Sequence, residues 1–153
     1  MSRLHTSFVL GYHGCDKKTG EAVLAEGGAL SPSDEEYDWL GPGIYFWEAD
    51  PKRAFEWAEW KAKRGGYETP FVIGAMSAHT RDEDHVLRYL DCAVIRRLHG
   101  AMDKAGEPFE TVRGLFTEGN QLFPGSGFQE KTHVQIAVRS TGNIKGYFRV
   151  SSL

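Results

Sequence analysis

The chain of 153 residues is short of cysteine, of long apolar runs and of net positive charge. Its two cysteines, Cys15 and Cys92, with no signal-peptide pattern at the N-terminus, argue against a disulfide framework and for reduced thiols in a cytoplasmic protein. Those cysteines and the six histidines show no zinc spacing, so no metal is expected. No apolar run approaches the roughly 20 residues of a membrane helix, and a membrane partner is not expected. Lys and Arg number 18 against 21 Asp and Glu, a formal charge of −3, which leaves no overall basic field to attract nucleic acid, although a local basic groove is compatible with it. Gly125-Ser126-Gly127 lacks the Lys-Ser/Thr ending of a phosphate-binding loop and reads as a turn. Repeats, low-complexity tracts and linkers are missing too. With 41% hydrophobic residues, the length suits one domain, residues 1–153, with a core of its own.

What is present alternates strands and helices irregularly. Phe8 to Tyr12 reads as a strand that ends at His13-Gly14, and Thr19 to Glu26 as a short helix stopped by Gly27-Gly28. Residues 29–40 are acids and turn formers without periodicity, a loop that would serve as a lid. Ile44, Tyr45, Phe46 and Trp47 follow Gly43 as a strand. Asp50 then caps a helix with Pro51 in its first turn, Ala54, Phe55, Trp57, Ala58 and Ala62 recur at helical spacing, and Gly65-Gly66 ends it. A strand at 70–76 and a helix at 83–98, striped by Val86, Leu87, Leu90, Val94, Ile95 and Leu98, come next. Strands at 110–116, 132–139 and 144–150 complete the chain. The alternation is too irregular for a doubly wound parallel sheet, and the fold class expected is α+β.

Three strand-borne elements stand out by their order and spacing: Tyr12-His13-Gly14, Gly43-Ile44-Tyr45-Phe46 and Lys131-Thr132-His133-Val134-Gln135-Ile136-Ala137-Val138. Together they resemble the NAD-binding core of ADP-ribosyltransferases of the diphtheria-toxin-like and poly(ADP-ribose)-polymerase-like branch, whose signature is a His, a Tyr and usually a Glu on three successive motif strands. The resemblance covers roughly residues 8–150. It implies a single ADP-ribosyltransferase-like domain of split, mostly antiparallel sheets with flanking helices around an NAD cleft. Gln135 stands in the place of the catalytic glutamate.

The resemblance also implies roles. His13 would bond the adenine-side ribose, the backbone of Gly14 would clamp the nicotinamide carboxamide, and Tyr45 would stack on the nicotinamide ring. Ala54 occupies the place of a small residue packed against nicotinamide, and the aromatic that closes the sandwich falls at Phe55 or Trp57. Gln135 would hydrogen-bond the ribose 2-hydroxyl as positive charge builds on the sugar. A glutamine cannot carry charge or deprotonate a nucleophile, so Glu130, in the place of a target-recognition loop, is the nearest candidate base and Glu118 a weaker one. Cys15, next to the His-Gly pair, carries no mark of an activated nucleophile. The activity implied is transfer of ADP-ribose from NAD to a macromolecular acceptor, protein or nucleic acid, as in a bacterial toxin or defence effector with a neutralising antitoxin or immunity partner. The alternatives are an NAD glycohydrolase and a non-catalytic module that binds NAD or ADP-ribose.

Overall fold

The computed structural model describes residues 7–27, 30–33, 43–79, 84–87, 111–116, 133–138, 142 and 144–151. Among these the chain runs β1 (Ser7–Asp16), α1 (Lys17–Glu26), β2 (Ile44–Glu48), α2 (Pro51–Lys63), β3 (Pro70–His79), β4 (Asp84–Leu87), β5 (Thr111–Phe116), β6 (His133–Val138) and β7 (Ile144–Arg149). The strands form one sheet in the order β4-β5-β6-β2-β1-β3-β7. Every neighbouring pair is antiparallel except β4 and β5, which are parallel. The fold is mixed α+β, as the residue pattern indicates.

Two departures have clear physical reasons. Residues 84–87 form a strand, not the start of a helix, because their backbone is paired with Thr111 to Gly114 of β5; the rest of the expected helix lies outside the described residues. A short apolar run reads alike in a buried strand and a helix, and only a distant partner decides between them. The first strand also runs past His13-Gly14 to Asp16. Its end is tied where Lys17 N donates to the Thr69 carbonyl and Thr69 N donates to Asp16 Oδ1, both at 2.9 Å. Gly27, in the left-handed conformation at φ 65°, stops α1 where the sequence places the stop.

The expected split into separate sheets is not what the described strands form: β1 and β2 are paired, which joins all seven into one sheet, although that pairing is short. Strand β1 pairs with β3 along its whole length, from Ser7 opposite His79 to Asp16 opposite Pro70. With β2 it pairs only at Gly11 opposite Glu48 and Tyr12 opposite Trp47. One face of the sheet carries Ile44, Phe46, Ile73, Ile136 and Val138, packed with Cys15 of β1 and Val23 of α1. Burial of each large side chain there contributes about 1.5–3 kcal/mol. The opposite face carries Trp47 and Val72, packed with Ala54 of α2 and flanked by Tyr12, Phe55 and Trp57. The helices therefore cover opposite faces. The expected lid lies almost wholly outside the described residues, which include only Leu30 to Ser33 of it.

Candidate functional site

Helix α2 begins as the sequence predicts: Asp50 Oδ1 accepts from Arg53 N at 3.0 Å and Pro51 occupies the first turn. Ala54 and Ala58 are fully buried, so the helix backbone settles close to the sheet. Closeness peaks at Gly14, where a Cβ would lie 2.3 Å from the Ala54 carbonyl oxygen and 3.3 Å from Trp57 Cδ1. A glycine is required at position 14, and the backbone it admits is that of α2. Gly14, Ala54 and Trp57 thus meet in one place. Phe55, half-buried, packs against the same apolar cluster.

Beside this contact the pairing of β1 with β2 is short. Ala49 N donates to the Leu10 carbonyl at 2.9 Å, which aims the backbone groups of Leu10 at β2. Backbone direction alternates along an extended strand, so Tyr12 and Gly14 present their N–H and C=O to the same edge. Continued in register, the ladder would bring His13 opposite Phe46 and then Gly14 opposite Tyr45, but register pairing ends at Tyr12 and Trp47. Instead, His13 Nδ1 donates to the Tyr45 carbonyl at 2.7 Å. The imidazole thus ties β1 to β2 one step beyond the last register pair, next to Gly14.

His13 extends from the face opposite to Gly14 and its ring lies 5.7 Å from that of Phe46. Burial pushes its pKa below the ordinary histidine value, and the Tyr45 carbonyl opposes that shift. With Nδ1 donating, the neutral ring keeps an acceptor at Nε2. Cys15, 3% exposed, has its thiol pushed up to about 11, chiefly by burial and also by the Asp16 charge. It is a protonated core residue at neutral pH, not a nucleophile.

Across β2 the pairing with β6 sets Tyr45 opposite Ala137 and Trp47 opposite Gln135. Paired residues share a face, and Gln135 lies one diagonal step, roughly 7–8 Å, from Tyr45. Both therefore stand on the α2 side of the sheet. Two residues there escaped the sequence reading. Gln135 Nε2 lies 2.9 Å from His133 Nε2, and the His133 side chain is buried. Trp47 is 7% exposed and, among the described residues, its indole Nε1 has no hydrogen-bond partner. Spacing by two along a strand was the available signal for the first pair; an orphan donor leaves no mark in a sequence. Trp47 also begins an aromatic row: its ring lies 5.9 Å from Trp57, which stacks on Trp60 at 5.1 Å, with the Arg64 guanidinium 3.9 Å over Trp60.

Glu130 and Glu118 lie outside the described residues. Among the described residues no cluster of His, Cys, Asp or Glu could hold a metal ion, and no helix is long and apolar enough to cross a membrane. No family model and no solved structure matches the chain. It is similar to an uncharacterized protein of Methanocaldococcus jannaschii, 42% identical over 52 residues, a stretch that covers 34% of this chain and 23% of that relative.

Proposed function

We propose that the chain is an NAD-dependent ADP-ribosyltransferase acting on a macromolecular acceptor, with the cleft at the seam between β1 and β2. The observation that carries this reading is the end of the β1–β2 register before Gly14 and Tyr45, where His13 holds the Tyr45 carbonyl; the Gly14 backbone edge would there face the ligand. A donor and an acceptor side by side on one glycine match the carboxamide of nicotinamide, which needs one of each. The indole N–H of Trp47 on the same wall, without a partner among the described residues, is a second donor to which a ligand acceptor can bond. A buried donor left unmet costs about 1–3 kcal/mol, and a bound acceptor would recover part of that.

Within this cleft Tyr45 and Trp57 would flank the nicotinamide ring and exclude water from the scissile bond. The bond between nicotinamide and ribose breaks with its electron pair leaving on nicotinamide. The acceptor nucleophile bonds to the same ribose carbon and gives up its proton. The Gln135 carbonyl oxygen would accept from the 2-hydroxyl of the reacting ribose as charge builds there; His13, whose side chain stands on the sheet face opposite Tyr45 and Gln135, would accept through Nε2 from the adenine-side ribose only where the dinucleotide crosses between β1 and β2. Gln135 is uncharged, and loss of one preorganised electrostatic partner typically costs on the order of 10²–10³ in rate. That same residue favours a second reading, a module that binds NAD or ADP-ribose without turnover.

Purified protein mixed with NAD labelled in the adenylate portion, together with a cell extract as acceptor source, tests these readings. Nicotinamide release with transfer of label supports the transferase, release without transfer indicates a glycohydrolase, and saturable binding without release indicates the binding module. Absence of both binding and release overturns all three. Tyr45→Ala is expected to lower NAD affinity or turnover at least tenfold, and unchanged values would remove the ring from the cleft.

A further inference from the structure

The amide of Gln135 has two chemically opposite ends, and only its oxygen can accept a hydrogen bond from a ribose hydroxyl. A glutamate in that place would not face the problem, since both of its oxygens accept. We propose that His133 is the positioning residue that resolves it, by binding the Gln135 amide nitrogen and turning the carbonyl oxygen into the cleft. This inference rests on the NAD reading for its catalytic consequence, but not for the contact itself.

The chemistry of the contact follows from its atoms. An amide nitrogen only donates, so at 2.9 Å between Gln135 Nε2 and His133 Nε2 the imidazole nitrogen must accept. The ring is then neutral, with its proton on Nδ1. Its only lone pair is committed to Gln135, so His133 cannot also deprotonate an incoming acceptor without releasing the amide. A positioning role follows, not that of a general base. The platform is rigid: His133 is buried at 7% exposure and lies on β6, which is hydrogen-bonded to β5 on one edge and β2 on the other. Residues 133 and 135 are two apart on that strand and share its face, as the geometry of a pleated strand requires.

The test combines a spectroscopic readout with kinetics on the full chain. In nitrogen-15-labelled protein without NAD, a coupling through the hydrogen bond should connect Gln135 Nε2 with His133 Nε2 and vanish in His133→Leu. With NAD, His133→Leu should lower kcat for nicotinamide release by roughly 10–100-fold while KM changes little, because orientation is lost more than binding. His133→Gln, which can place an acceptor oxygen near the position of Nε2, should recover most of the rate. In the Gln135→Glu background, His133→Leu should have a much smaller effect. A missing coupling in the wild-type chain overturns the proposal, as does an equal kinetic loss in both backgrounds. If the wild-type chain neither binds nor cleaves NAD, the functional reading fails while the coupling still decides whether His133 holds Gln135.

Discussion

Along its β3 edge β1 is paired for ten residues, whereas along its β2 edge the register holds for two. The two edges belong to one strand and carry the same kind of backbone groups, so the difference is in what surrounds them. On the β3 edge the backbone ladder itself supplies the cohesion. On the β2 edge side chains replace it: the ring of Phe46 beneath Gly11 and beside His13, the imidazole of His13 on the Tyr45 carbonyl, and α2 seated on Gly14. A strand held firmly on one side can keep its place with few ladder bonds on the other. The continuous edge supports the short one.

If side chains hold the seam, the largest effect should come from Phe46. It is 1% exposed, and its Cβ lies 2.8 Å from where a Cβ on Gly11 would sit. Phe46→Ala is expected to cost about 3–5 kcal/mol in urea unfolding. A loss below about 1 kcal/mol would return the cohesion of the seam to its short ladder.

Next in size is the seat of α2. In Gly14→Ala the new methyl meets the Ala54 carbonyl, a backbone atom that cannot swing aside, and the expected cost is about 1–3 kcal/mol. Gly146→Ala is the matched control on β7, where nothing lies within 4 Å of the added Cβ and the change should stay within about 0.5 kcal/mol. Equal losses at the two sites would mean that α2 does not rest on β1.

These contrasts also show what a sequence can and cannot disclose. The start of α2 was legible because Asp50 and Pro51 act on their own neighbours, and the stop at Gly27 for the same reason. The strand at 84–87 was not, since its partner is β5, at Thr111 to Gly114. At Gly14 the sequence points to close backbone approach, and the neighbour on its Cβ side, the helix backbone at Ala54, leaves no local mark in the sequence. The role of His13 at the seam was hidden altogether, because its partner is a backbone carbonyl 32 residues away. His133 was within reach of a spacing argument and passed over. Local chemistry announces itself, while the register between distant strands does not.

The seam should also respond to acid more than the continuous edge does. Folding lowers the His13 pKa through burial, with the Tyr45 bond opposing, so below the ordinary value near 6.5 the unfolded chain binds a proton that the folded chain resists. Stability from this group is present above that pH and is lost as pH falls toward the folded value. His13→Asn keeps a donor for the Tyr45 carbonyl but cannot titrate. Between about pH 7.5 and 5.5 the urea midpoint should therefore drop further in the wild-type chain than in His13→Asn. Identical pH dependence would separate His13 from the acid response.

The smallest effect is expected at the closed end of the seam. Ala49 donates its backbone N–H to Leu10 and takes φ 53°, the one non-glycine residue with positive φ among the described residues. Such a conformation costs a residue with a Cβ about 1–2 kcal/mol. Its methyl is exposed, so removal gives up little burial. Ala49→Gly relieves the strain but gives the unfolded chain more freedom, which offsets about 0.5–1 kcal/mol of the gain. The variant should be more stable by roughly 0.5 kcal/mol with an unchanged denaturant slope. A loss of stability would mean that the strained turn fixes the Leu10 bond more tightly than a glycine can, so that the paired end depends on backbone stiffness as the open end depends on side chains.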